Sequence, residues 1–198
     1  MCRNIEHPLK LEGVLSNRST HEARFKYYSI SVKNMQVLAI DPGYSRMGLA
    51  IGDSFGILTS YDLIETPSNQ LFENRLWYAY QALESCVVNN TIELIAYEEP
   101  GKLLGKNSLL TPQVIACINL LVAKYNLKCL KYSPYEIKKA ATNKVTADKT
   151  LVEERALKHF NIDPKEFKLR FGKAKDDVAD AIAVYMCYLL KTNISLAA

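Results

Sequence analysis

The 198-residue sequence lacks any apolar run that approaches the roughly 18–20 residues of a membrane-spanning helix. It also lacks the apolar core of a signal peptide, because Arg3, Glu6 and Lys10 interrupt the N-terminal segment. Its five cysteines include no C-x-x-C pair, which argues against the common zinc and dithiol motifs. We therefore predict a cytoplasmic or otherwise intracellular protein, of a bacterial cell or a virus-infected host cell, with reduced thiols and no membrane partner.

Charge is distributed unevenly along the chain. Residues 36–100 contain nine acidic side chains and only two basic ones, Arg46 and Arg75, whereas residues 101–175 contain sixteen basic and six acidic side chains. Basic stretches of this kind occur on solvated helix faces and also on surfaces that bind polyanions such as nucleic acids. The charge pattern alone leaves both interpretations open.

The chain changes character at Met35, which directly precedes the first clear strand. Residues 1–34 are polar and show no sustained period, so we predict an N-terminal extension that is flexible or partly ordered, with a short strand at 27–32. Residues 35–198 are predicted to form one folded domain, because they contain a regular succession of apolar segments and no linker-like tract.

Hydrophobic spacing in the folded domain predicts five strands and five helices. The strands are expected at 36–40, 47–52, 57–63, 92–97 and 128–131, and the helices at 68–88, from 112, from 134, from about 146, and at 175–190. Thr111 is expected to cap the second helix, and Ser133-Pro134-Tyr135-Glu136 is a capping box. Three consecutive strands followed by alternating helices and strands predict an α/β fold with a mixed five-stranded sheet flanked by helices.

Acidic residues mark the ends of several of these elements. Asp41 ends the first strand, Glu98 ends the fourth, and Asp177 and Asp180 lie one helical turn apart on the inward face of the last helix. The helix macrodipole explains acids at a helix N-terminus but does not explain an inward direction. Buried like charges need compensating cations, and an acid-only site suits Mg²⁺ or Mn²⁺. Two such ions can promote phosphodiester hydrolysis.

Several motifs follow one another in the chain: Asp41-Pro42-Gly43 with Gly48, Ile95-Ala96-Tyr97-Glu98, Lys106-Asn107, Thr146-Ala147-Asp148-Lys149, and Asp177-Val178-Ala179-Asp180-Ala181-Ile182-Ala183. In order and spacing they resemble the motifs of RuvC-type Holliday junction resolvases, which are dimeric endonucleases of the RNase H-like superfamily. The resemblance extends over about residues 35–190. It implies an RNase H-like nuclease domain over residues 35–198, two Mg²⁺ ions that Mn²⁺ can replace, a homodimer, and four-way or otherwise branched DNA as substrate.

Carried over by position, the resemblance implies a metal-binding catalytic set of Asp41, Glu98, Asp177 and Asp180, with Lys149 as a fifth catalytic residue near the scissile phosphate. The adjacent acids Glu99 and Asp176 rank second. The basic residues that it implies for DNA binding are Lys102, Lys106 and Lys138. The family often has an aromatic residue three positions after the second carboxylate, where this sequence has Gly101, so strict four-way-junction selectivity is not implied.

The leading hypothesis is therefore a metal-dependent, structure-selective DNA endonuclease that resolves Holliday junctions or other branched DNA. One alternative keeps the fold and the chemistry but acts on RNA–DNA hybrids. Another is a non-catalytic nucleic-acid-binding or regulatory protein that resembles the YqgF-type relatives, although the presence of all four acids argues against lost catalysis. The single tryptophan, Trp77, is interpreted as part of an apolar helix face, with a dimer surface as the alternative.

Overall fold

Five strands form one mixed sheet in the order β3-β2-β1-β4-β5. The computed structural model describes residues 33–101 and 110–196, with side chains described as far as residue 192. The strands are β1 (Gln36–Asp41), β2 (Arg46–Asp53), β3 (Leu58–Glu65), β4 (Leu94–Glu98) and β5 (Lys128–Tyr132). The pairs β1–β2 and β2–β3 are antiparallel, and β1–β4 and β4–β5 are parallel. The predicted mixed five-stranded sheet is confirmed.

Helices cover both faces of this sheet. They are α1 (Phe72–Asn89), α2 (Thr111–Tyr125), α3 (Pro134–Thr142), α4 (Lys149–His159), α5 (Pro164–Phe171) and α6 (Lys175–Leu196). Helices α1 and α2 pack against one face, where Leu38 and Ile40 of β1 are buried. Helices α3 to α6 pack against the other, where Val37 and Ala39 of β1 are buried. Because strand side chains alternate between faces, Asp41 continues the series toward α6.

Two helix starts illustrate how local signals determined these elements. The capping box before α3 is confirmed, because Ser133 Oγ accepts a hydrogen bond from Glu136 N and the Glu136 carboxylate accepts one from Ser133 N. Helix α4 begins after Asp148, whose carboxylate accepts a hydrogen bond from Leu151 N at 2.8 Å. Each side chain satisfies a backbone donor that has no partner within the helix.

Other expectations are corrected by the structure. Helix α1 begins at Phe72 rather than at residue 68, and Thr111 lies inside α2 rather than capping it. The sequence pattern does not predict α5, although Asp163 and Pro164 form a helix-start signal in which the aspartate accepts hydrogen bonds from two backbone amides. Trp77, interpreted as part of an apolar helix face with a dimer surface as the alternative, is not packed in the core of this chain: 59% of it is exposed, and it stacks on Tyr80.

Some predictions concern parts of the chain outside the described residues. These are the N-terminal extension up to residue 32, with its strand at 27–32, and the DNA-binding candidates Lys102 and Lys106. Among the described helices, none is both long and apolar enough to cross a membrane. Four described cysteines are free thiols, namely Cys86, Cys117, Cys129 and Cys187.

Candidate active site

Acids from three elements meet at one end of the sheet, on the face covered by α6. Asp41 ends β1 and Glu98 ends β4, and these strands are parallel neighbours in the same sheet. Asp177 and Asp180 lie in the first two turns of α6, which packs across both strands. The charges of Glu98, Asp177 and Asp180 all act on Asp41. The structure thus brings together the four acids that the sequence motifs single out.

The electrostatic state of the cluster follows from burial and from like charges. Burial, followed by repulsion from the neighbouring acids, raises the pKa of Asp41 to about 8. Burial and the charge of Asp180 raise the pKa of Glu98 to about 7. Burial also raises the pKa of Asp177 above its ordinary value. Desolvation and a neighbouring like charge both disfavour an ionised carboxyl, so nearby positive charge would stabilise the ionised cluster.

Two basic side chains supply part of that positive charge. Lys149, the first residue of α4, donates a hydrogen bond to Asp180 Oδ2 at 2.9 Å, and this bond raises the pKa of the lysine. Arg46, the first residue of β2, places Nε 2.8 Å from Asp177 Oδ2. Sequence reasoning missed Arg46 as a site residue. The signal was its position as one of two basic residues in the acidic segment 36–100.

A close approach between α6 and β2 positions the two α6 acids. Gly48 lies opposite Asp41 in the β1–β2 register, and a Cβ added to Gly48 would come within 1.8 Å of the Asp177 carbonyl oxygen. A side chain at this position would therefore push α6 away from the sheet. The spacing between Asp41 and Gly48 in the first motif thus has a physical reason: the glycine lets the helix that carries Asp177 lie directly on the strand pair.

The turn between β1 and β2 is held from outside by α1. The Arg75 guanidinium lies 4.2 Å from the centroid of the Tyr44 ring and donates hydrogen bonds to Ser45 Oγ and Thr66 Oγ1. Thr66 in turn donates to the Tyr44 and Ser45 carbonyl oxygens. These contacts constrain the short turn whose two ends are Asp41 and Arg46.

The second-ranked acids have other immediate partners than the four clustered acids. Glu99 is exposed and interacts with Lys131 and Tyr97, and Tyr97 lies on the α1–α2 side of the sheet. Asp176 is exposed and pairs with Lys175 at 3.0 Å. Their neighbours Glu98 and Asp177 face the cluster because strand and helix geometry turn successive side chains in different directions.

The basic candidate Lys138 is described by the structure and lies on α3, on the same side of the sheet as the acids. Its charge lowers the pKa of Glu98, against the larger opposing effect of burial. A cavity of about 200 Å³ opens beside Asp180 and Lys149, and further residues lining it are Thr150, Glu153, Lys175, Asp176 and Ala179. The acid cluster therefore borders a basic helix and an open cavity.

The chemical type of the donors, rather than their spacing in this structure, fits hard divalent cations. The donor set consists of carboxylate oxygens, which Mg²⁺ and Mn²⁺ prefer, and two of its members have pKa values raised to about 7 and about 8. Asp177 Oδ2 is buried and accepts no hydrogen bond from the described residues. Within those residues, no three His, Cys, Asp or Glu side chains are grouped closely enough to hold an ion, while Asp177 and Asp180 engage Arg46 and Lys149.

Sequence comparisons relate most of the chain to one family. The family model described as crossover junction endodeoxyribonuclease RuvC matches residues 37–188. The crossover junction endodeoxyribonuclease RuvC of Caldicellulosiruptor saccharolyticus is 31% identical over 169 residues, which cover 80% of this chain and 95% of the relative. The protein of the same description from Alkaliphilus oremlandii is 29% identical over 168 residues, with coverages of 81% and 96%.

Solved structures extend the likeness to the fold. Thermus thermophilus RuvC, in complex with Holliday junction substrate, superposes with a TM-score of 0.69 at 15% identity, covering 81% of this chain and 96% of that one. The yeast mitochondrial Holliday junction resolvase gives a TM-score of 0.55 at 15% identity, with coverages of 82% and 84%. These similarities confirm the expected RNase H-like fold.

Proposed function

The chain belongs to the RuvC family of crossover junction endodeoxyribonucleases. We propose that it resolves Holliday junctions and related branched DNA by hydrolysing phosphodiester bonds. In this proposal the active site is formed by four acids, Asp41, Glu98, Asp177 and Asp180. One observation carries the assignment of these residues: acids distant in the chain meet at one end of the sheet, where burial and mutual repulsion disfavour their charged forms. An arrangement that costs folding energy is typical of a functional site.

The four carboxylates would hold two Mg²⁺ ions, or Mn²⁺ in their place, because hard cations take oxygen ligands and compensate buried negative charge. When bound, such a pair of ions would supply activation of the attacking water and stabilisation of the negative charge on the leaving oxygen. The protein contributes the fixed positions of the carboxylates on the sheet and on α6. The close contact at Gly48 and the bracing of the β1–β2 turn by Arg75 keep these elements in place.

Basic side chains around the cluster are proposed to bind the DNA backbone. The Lys149 side chain is 76% exposed while its ammonium contacts Asp180, so the charge lies at the boundary between the acids and solvent. We assign it to the phosphate that is cut. Lys138 on α3 is assigned to a flanking phosphate, as are Lys102 and Lys106, which lie between β4 and α2 in the sequence. Such contacts make affinity fall with rising salt concentration.

A homodimer suits this substrate, because two-fold related active sites cut two strands of a four-way junction symmetrically. We also place the activity inside the cell. The described cysteines are free thiols, which suits a reducing compartment.

The test compares cleavage of a synthetic four-way junction, a matched linear duplex and an RNA–DNA hybrid, each with Mg²⁺ and with EDTA. We expect cutting of the junction that requires Mg²⁺ and is lost in Asp41→Asn. Equal cutting of junction and linear duplex would contradict structure selectivity, and preference for the hybrid would support the alternative nuclease. Binding without cutting in Mg²⁺ or Mn²⁺ would indicate a non-catalytic protein.

A further inference from the structure

Arg46 occupies a position that the family resemblance does not explain. It begins β2 on the same sheet face as Gly48, and its side chain reaches α6, where Nε lies 2.8 Å from Asp177 Oδ2. The segment from residue 36 to 100 is otherwise strongly acidic, so a basic residue here places positive charge within the acid cluster. This positive charge acts on Asp177: burial raises the pKa of the Asp177 carboxyl, and the charge of Arg46 lowers it.

The two α6 acids are compensated in different ways. Asp180 accepts a well-oriented hydrogen bond from Lys149, whose side chain is largely exposed. Asp177 Oδ2 is buried and accepts no hydrogen bond from the described residues, so its contact with Arg46 is a charge pairing. A buried carboxylate oxygen that accepts no hydrogen bond is poorly compensated for its loss of water. A divalent ion bound to this oxygen compensates it better than a guanidinium whose N–H does not point at it.

We propose that Arg46 is a positioning residue that forms an ion pair with Asp177 in the ion-free protein and competes with a divalent cation for Oδ2 of that carboxylate. The inference rests on the proposed ion site. Guanidinium and ion are both positive, so the two repel each other within a few ångströms of one oxygen. Binding of the ion therefore displaces Arg46 from Oδ2. By linkage, removal of the Arg46 charge strengthens ion binding by the same factor as the ion weakens the Arg46 contact.

The experiment titrates Mg²⁺ alone, without DNA, into the full chain by calorimetry. We expect Arg46→Gln to bind Mg²⁺ more tightly than the unsubstituted protein, by roughly fivefold or more, which is the lower range of coupling between linked sites. Arg46→Lys keeps the charge and should stay within about twofold. The matched control is Arg170→Gln, which removes an arginine paired at 3.7 Å with Asp62 on the edge strand β3 and should leave Mg²⁺ affinity unchanged.

A second readout is the melting temperature, measured in EDTA and in Mg²⁺. In EDTA, Arg46→Gln should melt below the unsubstituted protein, because the cluster has lost a compensating charge, and Mg²⁺ should raise its melting temperature by more. In an Asp177→Asn background the same arginine substitution should change Mg²⁺ affinity by less than about twofold, because the contested carboxylate is gone.

Unchanged or weaker Mg²⁺ binding by Arg46→Gln would overturn the competition. If that variant does not fold, Arg46→Met, which keeps the apolar stem of the side chain, is measured under the same criterion. Absence of Mg²⁺ and Mn²⁺ binding in the unsubstituted protein would overturn the proposed ion site together with this inference. The two failures are thus distinguishable.

Discussion

Two aspartates stand at opposite ends of the β1–β2 strand pair, and they are treated very differently by the structure. Asp53 lies opposite Gln36 and is 6% exposed. Its carboxylate accepts hydrogen bonds from the backbone amides of Phe55 and Ile57 and from the Asn34 side chain, at 2.9–3.1 Å. These hydrogen bonds satisfy backbone donors just after β2, so Asp53 stabilises the turn that follows this strand.

Asp41, at the other end of the pair, faces three further acids. Burial and these charges raise its pKa to about 8, and Lys149 is a cation that opposes them. An aspartate thus stabilises the fold at one end of the strand pair, where Asp53 lies, and destabilises it in its charged form at the other, where Asp41 lies. Burial alone therefore does not mark an acid as functional, whereas burial beside like charges is typical of functional sites.

Neutralising each aspartate separately should have very different effects on cleavage and on stability. Asp41→Asn should reduce junction cleavage by roughly a thousandfold or more, about 4 kcal/mol in the activation barrier, since an ion-binding carboxylate is lost. Asp53→Asn should leave cleavage by the folded protein nearly unchanged and lower the melting temperature, because the Oδ1 atom that accepts hydrogen bonds from two backbone amides is disturbed. Single-turnover cleavage and thermal melting measure the two effects.

The assignment would be wrong if both substitutions reduced cleavage in proportion to lost stability. Melting in EDTA supplies a further control on Asp41. Because the charged form is disfavoured in the folded protein, Asp41→Asn should melt no lower than the unsubstituted protein at neutral pH.

Two adjacent glutamates test the role of the sheet faces. Glu98→Gln should slow junction cleavage by roughly a hundredfold, because Glu98 faces Asp41 and Asp180. Glu99→Gln should change it by less than about threefold, since an exposed carboxylate near Lys131 contributes little. Cleavage at saturating Mg²⁺ compares the matched pair. Equal losses would show that the side of the sheet does not decide which acid acts.

Two glycines test the contact between α6 and β2. Gly48→Ala should lower the free energy of unfolding by about 1–3 kcal/mol, because the added methyl group overlaps the Asp177 backbone. Gly101→Ala is the control, since a Cβ there would meet no atom of the described residues within 4 Å. Chemical denaturation measures both. A neutral Gly48→Ala would mean that α6 does not need its close approach to the strand.

The smallest expected effect is a pH dependence of stability without divalent ions. The folded pKa values of Asp41 and Glu98, about 8 and about 7, lie above their ordinary values of 3.8 and 4.5. Between about pH 4 and pH 8 the folded protein therefore holds more protons than the unfolded chain at these groups, and their contribution to stability falls as pH rises. Melting in EDTA should show this decline as a melting temperature that falls with rising pH. In Asp41→Asn the total fall in melting temperature should be smaller by about 2–4 °C. An unaltered slope in Asp41→Asn would contradict the raised pKa.

Much of the candidate site is predictable from local sequence patterns. A period of two along β1 directs Asp41 to the same face as Val37 and Ala39, and the helical period directs Asp177 and Asp180 toward the sheet. The choice between Glu98 and Glu99 follows from the same alternation once β4 is known to end at Glu98. Short-range periodicity is enough to determine the direction of each acid, because that direction depends only on residues a few positions away in the same strand or helix.

Arg46 lies beyond the reach of such patterns. Its position in an acidic segment marks it as unusual, but the sequence contains no local sign of a partner 131 positions away. The exposure of Trp77 is likewise undetermined locally, because an aromatic residue among apolar helix positions fits a core and a surface equally well.

By itself, the sequence determined which acids exist, the strands and helices that carry them, and the face of each element on which they lie, because these follow from backbone geometry over a few residues. Only the tertiary structure decided that β1 pairs with β4, that α6 approaches the sheet at Gly48, and that Arg46 contacts Asp177. Those contacts depend on how distant elements pack together, and packing depends on the whole core rather than on any one segment.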